Sequence, residues 1–250
     1  HQGNSWPVII DVAPSISMTL IEDCEQEDDQ QQTLWLRLGA NSAVTHARNS
    51  FATTALHWQF VSVQVHTDGQ YRLHNHALAS TLRRQDTQIQ LVGRGAHAEL
   101  TSAVMVAERL NLDQQITIEH INAHTTSRQR VHNIVADRGK CTFNGRIHIH
   151  EGAKSSDAQL SNKNLGLGAN ATINTKPELE IYNDDVSCAH GATIGQLDDN
   201  QLFYLCSRGV APTVARRLLC EGFLQQCVDG PLADTAGSAL VAPLKDMEMT

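Results

Sequence analysis

A thiol and an imidazole lie two residues apart in the segment Cys188-Ala189-His190. Alternate side chains of an extended chain point to the same face, so both groups would emerge together. Both are ligands for iron or zinc, but two ligands do not complete a four-ligand site. The spacing therefore indicates either a structural pair on a strand or part of a metal site that the fold or another subunit completes.

Two histidine pairs have the same alternate spacing. His74 and His76 would share one face of a strand, as would His148 and His150, and the chain holds 13 histidines in all. Two imidazoles on one face could hold a metal ion. The pattern is more typical of the polar face of a half-exposed strand, and we expect that structural role.

Neighbouring carboxylates occur at Asp184 and Asp185. Adjacent side chains on a strand face opposite ways, so the two cannot form a dyad without a bend. With calcium, they would suit a β-helix enzyme that cleaves polysaccharides. A turn capped by Asx side chains is the more ordinary interpretation of the same residues.

The sequence lacks the motifs of common nucleotide-binding and hydrolytic sites. Gly139-Lys140 is followed by Cys141 rather than by Ser or Thr, and no glycine stands five residues before Gly139, so there is no P-loop. The motifs GxSxG and HExxH are missing as well. The chain therefore has no evident means of binding ATP by itself.

Cysteine usage favours a reducing compartment. A chain of 250 residues can bury a sizeable core without disulfides. The cysteines form no CxxC pair and show no zinc-finger spacing. We therefore expect reduced thiols and a cytoplasmic protein. The six cysteines are Cys24, Cys141, Cys188, Cys206, Cys220 and Cys227.

Charge and composition exclude two classes of partner. Nineteen basic and 27 acidic residues give a net charge of −8, so the chain has no general attraction to nucleic acid or to anionic membranes. No apolar run approaches the ~18 residues that span a bilayer. Aromatic residues make up only 4% of the chain, which suits an aliphatic core. This composition is more typical of a repetitive β-rich fold than of a helical bundle.

Short strands fill the first three quarters of the sequence. Leu34, Leu36 and Leu38 would lie on one face of a strand, and the runs 60–65 and 116–118 repeat the same period of two. Glycines separate these runs, as turns require. Long 3.6-residue patterns are lacking, which argues against βαβ units and leaves a sandwich, a barrel or a β-helix.

The pattern changes after the last of these strands. Asp198 can cap a helix that runs to about Ser207, and a second helix is predicted over about 213–228. We therefore divide the chain into a β-helix or other β-rich core at 1–196 and a C-terminal helical region at 197–250. Its last twenty residues carry few structural signals, and we expect them to be frayed.

One long segment resembles a known family. The match is dense over about 117–228 and includes several shorter pieces as well as a motif of more than thirty residues. The pieces are Pro177–Gly195, Leu202–Val210, Glu119-His120, Thr125–Gln129, Asp137–Gly145 and Ser161–Leu165. These residues resemble the SufB/SufD family of iron–sulfur cluster assembly proteins. The SufB branch carries a Glu-His-Glu-type segment where this chain has Cys188-Ala-His-Gly, so the resemblance is to the other branch.

The resemblance implies a mainly β fold, a right-handed parallel β-helix with a C-terminal helical region. Family members also carry a helical region before the β-helix, and we expect this chain to lack it. They work in a complex of one SufB, one member of the other branch and two copies of the ATPase SufC. SufC would supply the ATP hydrolysis for which this chain has no motif.

The implied function is that of a scaffold rather than an enzyme. The β-helix would pair with a SufB-like subunit, and the nascent iron–sulfur cluster would form at that interface. We expect no tightly bound cofactor in the isolated chain, a transient cluster in the complex, and self-association into a homodimer when partners are missing. A calcium-dependent β-helix carbohydrate-active enzyme that uses Asp184 and Asp185 is kept as the alternative.

The resemblance also implies roles for individual residues. His190 matches a histidine that would coordinate iron together with a cysteine of the SufB-like subunit. Cys188 belongs to the same motif and is the weaker candidate, with a structural role as its alternative. Phe203, Tyr204 and Arg208 fall in the helical region that would face SufC, unless the aromatic residues only pack the helix.

Overall fold

The computed structural model describes residues 7–24 and 28–246, the side chains of residues 245 and 246 excepted. Over these residues, fourteen strands alternate between two seven-stranded parallel sheets. Sheet A holds β1 Val8–Val12, β3 Gln30–Leu38, β5 Leu56–Val65, β7 Leu82–Leu91, β9 Asn111–His120, β11 Lys140–Ile149 and β13 Thr172–Ile181. Sheet B holds β2 Ser17–Cys24, β4 Ala43–Ser50, β6 Gln70–Leu78, β8 His97–Val106, β10 Thr126–Ala136, β12 Ser156–Leu167 and β14 Val186–Gly195.

Each coil of the chain adds one strand to each sheet, so the molecule is a parallel β-solenoid. The predicted mainly β fold of the β-helix type is confirmed. Residues in equivalent positions pair from coil to coil. Leu73, Leu100, Gln129 and Leu160 follow one another in register at separations of 27, 29 and 31 residues. Because these separations differ, the repeat does not show as a fixed period in the sequence.

An aliphatic core fills the space between the sheets. The alternate residues Val61, Val63 and Val65 of β5 are fully buried, and the predicted alternation is correct there. Val63 pairs in register with Leu36 of β3 and Ile89 of β7, so equal positions of successive coils stack along the solenoid. Burial of such side chains is the main favourable contribution to folding.

A column of polar side chains also lies inside the solenoid. Gln85 Nε2 donates to Gln59 Oε1 at 2.8 Å, and Asn75 Nδ2 donates to Gln85 Oε1 at 3.1 Å. Gln114 Nε2 donates to Ser102 Oγ at 3.0 Å and to Gln85 Oε1 at 3.3 Å. All five residues are buried. Buried amides are tolerated because they bond one another across coils.

A charged cluster occupies the interior near the first coils. Glu22 Oε2 accepts hydrogen bonds from Arg48 Nε at 2.9 Å and lies 2.6 Å from His46 Nε2, while His46 Nδ1 lies 2.8 Å from the Tyr71 hydroxyl. Burial alone would raise the pKa of the Glu22 carboxyl, but the Arg48 charge and the His46 contact outweigh it and hold this pKa well below its usual value. The buried guanidinium is therefore paired with an ionised carboxylate.

The turns continue the hydrogen bonding between coils. The Asn41 N–H donates to the Thr67 carbonyl at 2.8 Å, and the Asp68 N–H donates to the Arg94 carbonyl at 2.9 Å. A Cβ atom at Gly93 would stand 1.9 Å from the Thr67 nitrogen, so only glycine allows these two turns to approach so closely.

Helices follow the last strand. They are α1 Asp199–Ser207, α2 Pro212–Gln225, α3 Ala233–Val241 and α4 Pro243–Asp246. The predicted cap is confirmed, because Asp198 Oδ1 accepts from the Asn200 N–H at 2.8 Å. Within the described residues, no helix is long and apolar enough to cross a membrane.

The outer face of sheet B carries α2 and α3. Leu224 of α2 and Leu240 of α3 are buried in one cluster with Met105 and Ile134 of the sheet. The prediction of a frayed tail is therefore wrong for residues 233–246; residues 247–250 lie outside the described part. Ala236, Leu240 and Leu244 recur every fourth residue and find an apolar sheet surface to cover.

We expect Gln85→Ala to lower the free energy of unfolding by about 2–4 kcal/mol, because it leaves a cavity and deprives buried amides of partners. Urea denaturation followed by circular dichroism measures this. Gln88→Ala changes an exposed glutamine of the same strand and should cost less than about 0.5 kcal/mol. Equal losses in the two variants would contradict the stabilising role of the polar column.

Acid should destabilise the fold through buried neutral histidines. Both nitrogens of His120 contact hydroxyls, Thr125 Oγ1 at 2.9 Å and Ser127 Oγ at 2.8 Å, and burial lowers its pKa from 6.5 to about 4. Between these values the unfolded chain binds the extra proton, so stability falls as the pH falls. Each such histidine should cost about 2 kcal/mol between pH 6.5 and pH 5.

The test compares free energies of unfolding at pH 7 and pH 5 in His120→Gln and in His66→Gln, where the replaced histidine is exposed. His120→Gln should show a smaller acid-induced loss than the parent, and His66→Gln should behave like the parent. An unchanged pH dependence in His120→Gln would refute the assignment, whatever that variant does to stability at pH 7.

Candidate functional site

The segment with the predicted metal ligands forms β14, an edge strand of sheet B and the last strand of the solenoid. Its backbone pairs with β12 on one side, and no strand of the described residues pairs with the other side. β13 is likewise the last strand of sheet A. The solenoid therefore ends here, where two strand edges are unpaired and the end of the core lies between them.

The register places Cys188 and His190 at this open end. Cys188 pairs with Ala158, and His190 pairs with Leu160. Ala158 and Leu160 are buried core residues, so the same positions of the next coil lie over the exposed end of the core. The structure thus confirms that the thiol and the imidazole share one face of a strand.

The two side chains differ in their surroundings. Cys188 is half-buried against the core, and burial raises the pKa of its thiol, with a further rise from the Asp157 charge and an opposing backbone contact at Ala158. It is therefore a protonated thiol at neutral pH. His190 is exposed and has no hydrogen-bond partner among the described residues. The imidazole is thus the more available ligand.

Cys188 and His190 do not form a complete metal site by themselves. Among residues 7–24 and 28–246, no three His, Cys, Asp or Glu side chains are arranged to hold a metal ion. A cluster bound at His190 would therefore need ligands from outside the described residues. This agrees with the sequence argument that two ligands are insufficient.

The open end is also strongly acidic. Residues 172–199 contain six carboxylates against one lysine, which gives a net charge of −5. Asp184 and Asp185 contribute to it from the turn before β14. The Asp185 N–H donates to Asn183 Oδ1 at 3.0 Å, and Asp185 Oδ2 accepts from Ser155 Oγ at 3.0 Å. These bonds match the turn interpretation of the aspartate pair.

Helix α1 keeps its aromatic residues on the surface. Phe203 and Tyr204 are 74% and 57% exposed, and no residue of α1 is buried. The guanidinium of Arg208 lies 5.2 Å from the centre of the Tyr204 ring, within the range of a cation–π contact. These aromatic side chains do not serve to pack the helix, contrary to that alternative, and they form an exposed apolar patch.

The six cysteines are free thiols, and four of them are buried. Cys220 and Cys227 lie in the cluster between the helices and sheet B, where burial raises the pKa of Cys220 to about 12 and that of Cys227 to about 11. Such thiols are unreactive and serve as small apolar side chains.

The histidine pairs have different environments. His74 and His76 are buried, not half-exposed as expected: Gly230 lies against the His74 ring, and His76 Nδ1 contacts Asn49 Oδ1 at 3.1 Å. His148 and His150 lie on the outer face of sheet A, where each contacts a glutamate. The latter pair keeps the environment that the sequence predicts.

Sequence reasoning missed the cluster of buried His46 and Arg48 with half-buried Glu22. A charged residue on a strand is ordinarily predicted to point to solvent. The available signal was that all three residues occupy the alternate positions of their strands whose side chains point into the solenoid. Only the pairing of β2 with β4 shows that they meet.

Comparison with known proteins gives a consistent result. A family model described as "SUF system FeS cluster assembly, SufBD core domain" matches residues 2–223. The chain is 32% identical over 225 residues to "Iron-sulfur cluster assembly protein SufD" of Escherichia coli, covering 88% of this chain and 53% of that protein. It is 35% identical over 202 residues to an iron–sulfur cluster assembly SufBD family protein of Synechocystis, covering 80% of this chain and 45% of that protein.

The chain spans about half the length of these relatives. The family model covers all fourteen strands and α1, and it ends within α2. The motif around Cys188 and His190, the solenoid fold and the similarity thus agree: the chain belongs to the SufBD core family of the SUF iron–sulfur cluster assembly system.

Proposed function

We propose that this chain is a non-enzymatic scaffold subunit for iron–sulfur cluster assembly, with the nascent cluster held at the open end of the solenoid. The observation that carries the proposal is the position of His190, an exposed imidazole on an unpaired edge strand beside a second potential ligand. The names of the two relatives, both iron–sulfur cluster assembly proteins, support the same function.

A SufB-like subunit would complete the site. An unpaired edge presents backbone N–H and C=O groups that another strand can pair with. Partner strands placed along β13 and β14 would extend both sheets and cover the apolar side chains at this end, among them Ile181 and Ile194, which are 44% and 58% exposed. The same pairing would bring the partner's ligands to His190.

The histidine and the cysteine would contribute differently to the bound cluster. A neutral imidazole nitrogen can coordinate iron without losing a proton. The Cys188 thiol must first be deprotonated, which its raised pKa opposes. We therefore assign His190 as the ligand from this chain and give Cys188 the smaller contribution. The cluster is the cargo of the complex, and the isolated chain would hold no tightly bound cofactor.

The energy source would be a SufC-type ATPase that docks on α1. Its contact surface would be the apolar patch of Phe203 and Tyr204, with Arg208 beside it. Exposed aromatic side chains next to an arginine are typical of residues that dominate binding at protein interfaces. The lack of a P-loop in this chain agrees with ATP hydrolysis by a partner.

Two further expectations belong to this proposal. Free, largely buried thiols suit the cytoplasm. The same open end that would accept a SufB-like subunit would pair with a second copy of the chain when that subunit is missing, giving a homodimer. The alternative of a calcium-dependent carbohydrate-active enzyme receives no support from Asp184 and Asp185, because Asp185 stabilises a turn.

We expect His190→Ala to leave the complex intact and to lower its cluster content at least tenfold. The test co-expresses the chain with a SufB-like subunit and a SufC-type ATPase, then measures iron and sulfide per complex. Thr193→Ala, an exposed change on the same strand, is the matched control and should retain its cluster. Cys188→Ser should give a smaller loss than His190→Ala. A normal cluster yield in His190→Ala would exclude the ligand role.

The double variant Phe203→Ala, Tyr204→Ala should weaken binding of the SufC-type ATPase by at least tenfold, because it removes the exposed apolar patch of α1. Binding is measured by calorimetry, and stability by urea denaturation should change little. Leu82→Ala, which removes a 46% exposed apolar side chain from sheet A, is the control. Unchanged binding in the double variant would place the ATPase elsewhere.

A further inference from the structure

A second pair of potential metal ligands lies on the outer face of sheet A, on the strand next to the last one. His148 of β11 and His150, which follows that strand, have ring centroids 4.1 Å apart. Their side chains are 18% and 39% exposed, so both rings reach solvent. Imidazole is a good ligand for zinc, nickel, copper and iron.

Each imidazole contacts a carboxylate through one nitrogen. His148 Nδ1 lies 3.0 Å from Glu180 Oε2, and His150 Nε2 lies 3.1 Å from Glu119 Oε2. When these nitrogens donate to the carboxylates, the lone pairs are on His148 Nε2 and His150 Nδ1. Neither of these atoms has a hydrogen-bond partner among the described residues. Metal-binding histidines are typically oriented by a carboxylate in this way.

The charges around the pair favour a cation. Glu119, Glu178 and Glu180 lie along the two strands that flank β11, and Arg146 of β11 contacts the His148 ring. The guanidinium donates to Glu180 at 2.5 Å, and its Nη2 also stands 3.2 Å from His148 Nδ1. Arginine only donates, so this second contact is a hydrogen bond only in the tautomer in which Nδ1 accepts, and it competes with donation from Nδ1 to Glu180. Its charge is therefore largely offset by Glu180, and Lys176 forms an ion pair with Glu178. The three carboxylates and two cations leave a net charge of −1, with Glu119 on the His150 side.

The other histidine pair shows what distinguishes this one. His74 and His76 have the same spacing, but both are buried and the Gly230 backbone covers the His74 ring. His74 Nδ1 contacts Thr101 Oγ1 at 3.0 Å and His76 Nδ1 contacts Asn49 Oδ1 at 3.1 Å, so neither is oriented by a carboxylate. The two histidine pairs have the same spacing in the sequence, but they differ in solvent accessibility and in the groups that orient their rings.

We propose that His148 Nε2 and His150 Nδ1 bind a divalent transition-metal ion of the Zn²⁺, Ni²⁺ or Fe²⁺ class, with Glu180 and Glu119 as the orienting carboxylates. Two imidazoles on one tetrahedral zinc ion, with Zn–N bonds of about 2.1 Å, have centroids about 5 Å apart. Binding therefore needs the two rings to separate by about 1 Å, and water supplies the remaining ligands. A site with two protein ligands is weaker than a structural zinc site with four.

This site stands apart from the proposed cluster site. Its ligands lie on sheet A and need no partner subunit, whereas His190 lies on sheet B and is completed by another chain. Metal binding by the isolated protein therefore tests the pair by itself, and a negative result would leave the proposed cluster site unaffected.

The experiment titrates Zn²⁺ and Ni²⁺ into the purified chain by isothermal calorimetry at pH 7.5. The background carries Cys188→Ser and Cys206→Ser, because these two cysteines are the partly exposed thiols and would bind zinc themselves. The double variant His148→Ala, His150→Ala should lose one bound ion or at least tenfold in affinity. His66→Ala, which removes an exposed histidine elsewhere, and His190→Ala should bind like the background.

The carboxylates provide a second, independent readout. Glu180→Gln and Glu119→Gln keep the size of the side chain but weaken the orienting bond, and each should lower the affinity by about tenfold. In NMR spectra the side-chain signals of His148 and His150 should be among the first to shift when Zn²⁺ is added. The proposal is wrong if the double variant binds as many ions as tightly as the background, or if the background binds none.

Discussion

Backbone hydrogen bonding between successive coils is the constraint on which the rest of the structure depends. Each inner strand is paired on both sides, so its N–H and C=O groups are satisfied without help from side chains. The last coil does not satisfy this condition, because in the described structure β13 and β14 have a neighbouring strand on one side only. The solenoid therefore ends in two unpaired edges, and the motif with Cys188 and His190 lies on one of them. The unpaired strand edge and the incomplete set of metal ligands therefore lie at the same end of the solenoid.

The same stacking decides what the interior can hold. Equal positions of neighbouring coils lie directly above one another, so an amide at one level finds an amide at the next, as Gln59, Gln85 and Gln114 do. A single buried amide would be costly, but a column of them satisfies most of its members. The Glu22, His46 and Arg48 cluster follows the same rule near the first coils, where an ion pair replaces the amide bonds.

The outer faces of the two sheets differ in which side chains they leave accessible for binding. Helices α2 and α3 cover part of sheet B and bury His74 and His76, which removes that histidine pair from contact with solvent. In the described part of the chain the helices pack on sheet B and not over β11, and His148 and His150 stay accessible beside their glutamates. Helix α1 buries none of its own residues and leaves Phe203 and Tyr204 free for a partner.

The sequence by itself determined the mainly β class, the alternation of strands such as β5, the Asp198 cap and the motif that carries the family. These are local features, set by neighbouring residues. Tertiary structure alone decided that Gln85 and Arg48 are buried, that residues 233–246 are helical, and that one of two identical His-x-His spacings reaches solvent. Each of these depends on contacts between coils or with the helices, between residues distant in sequence, for example the 24 residues between Glu22 and His46. Such contacts form only when the chain is wound in register.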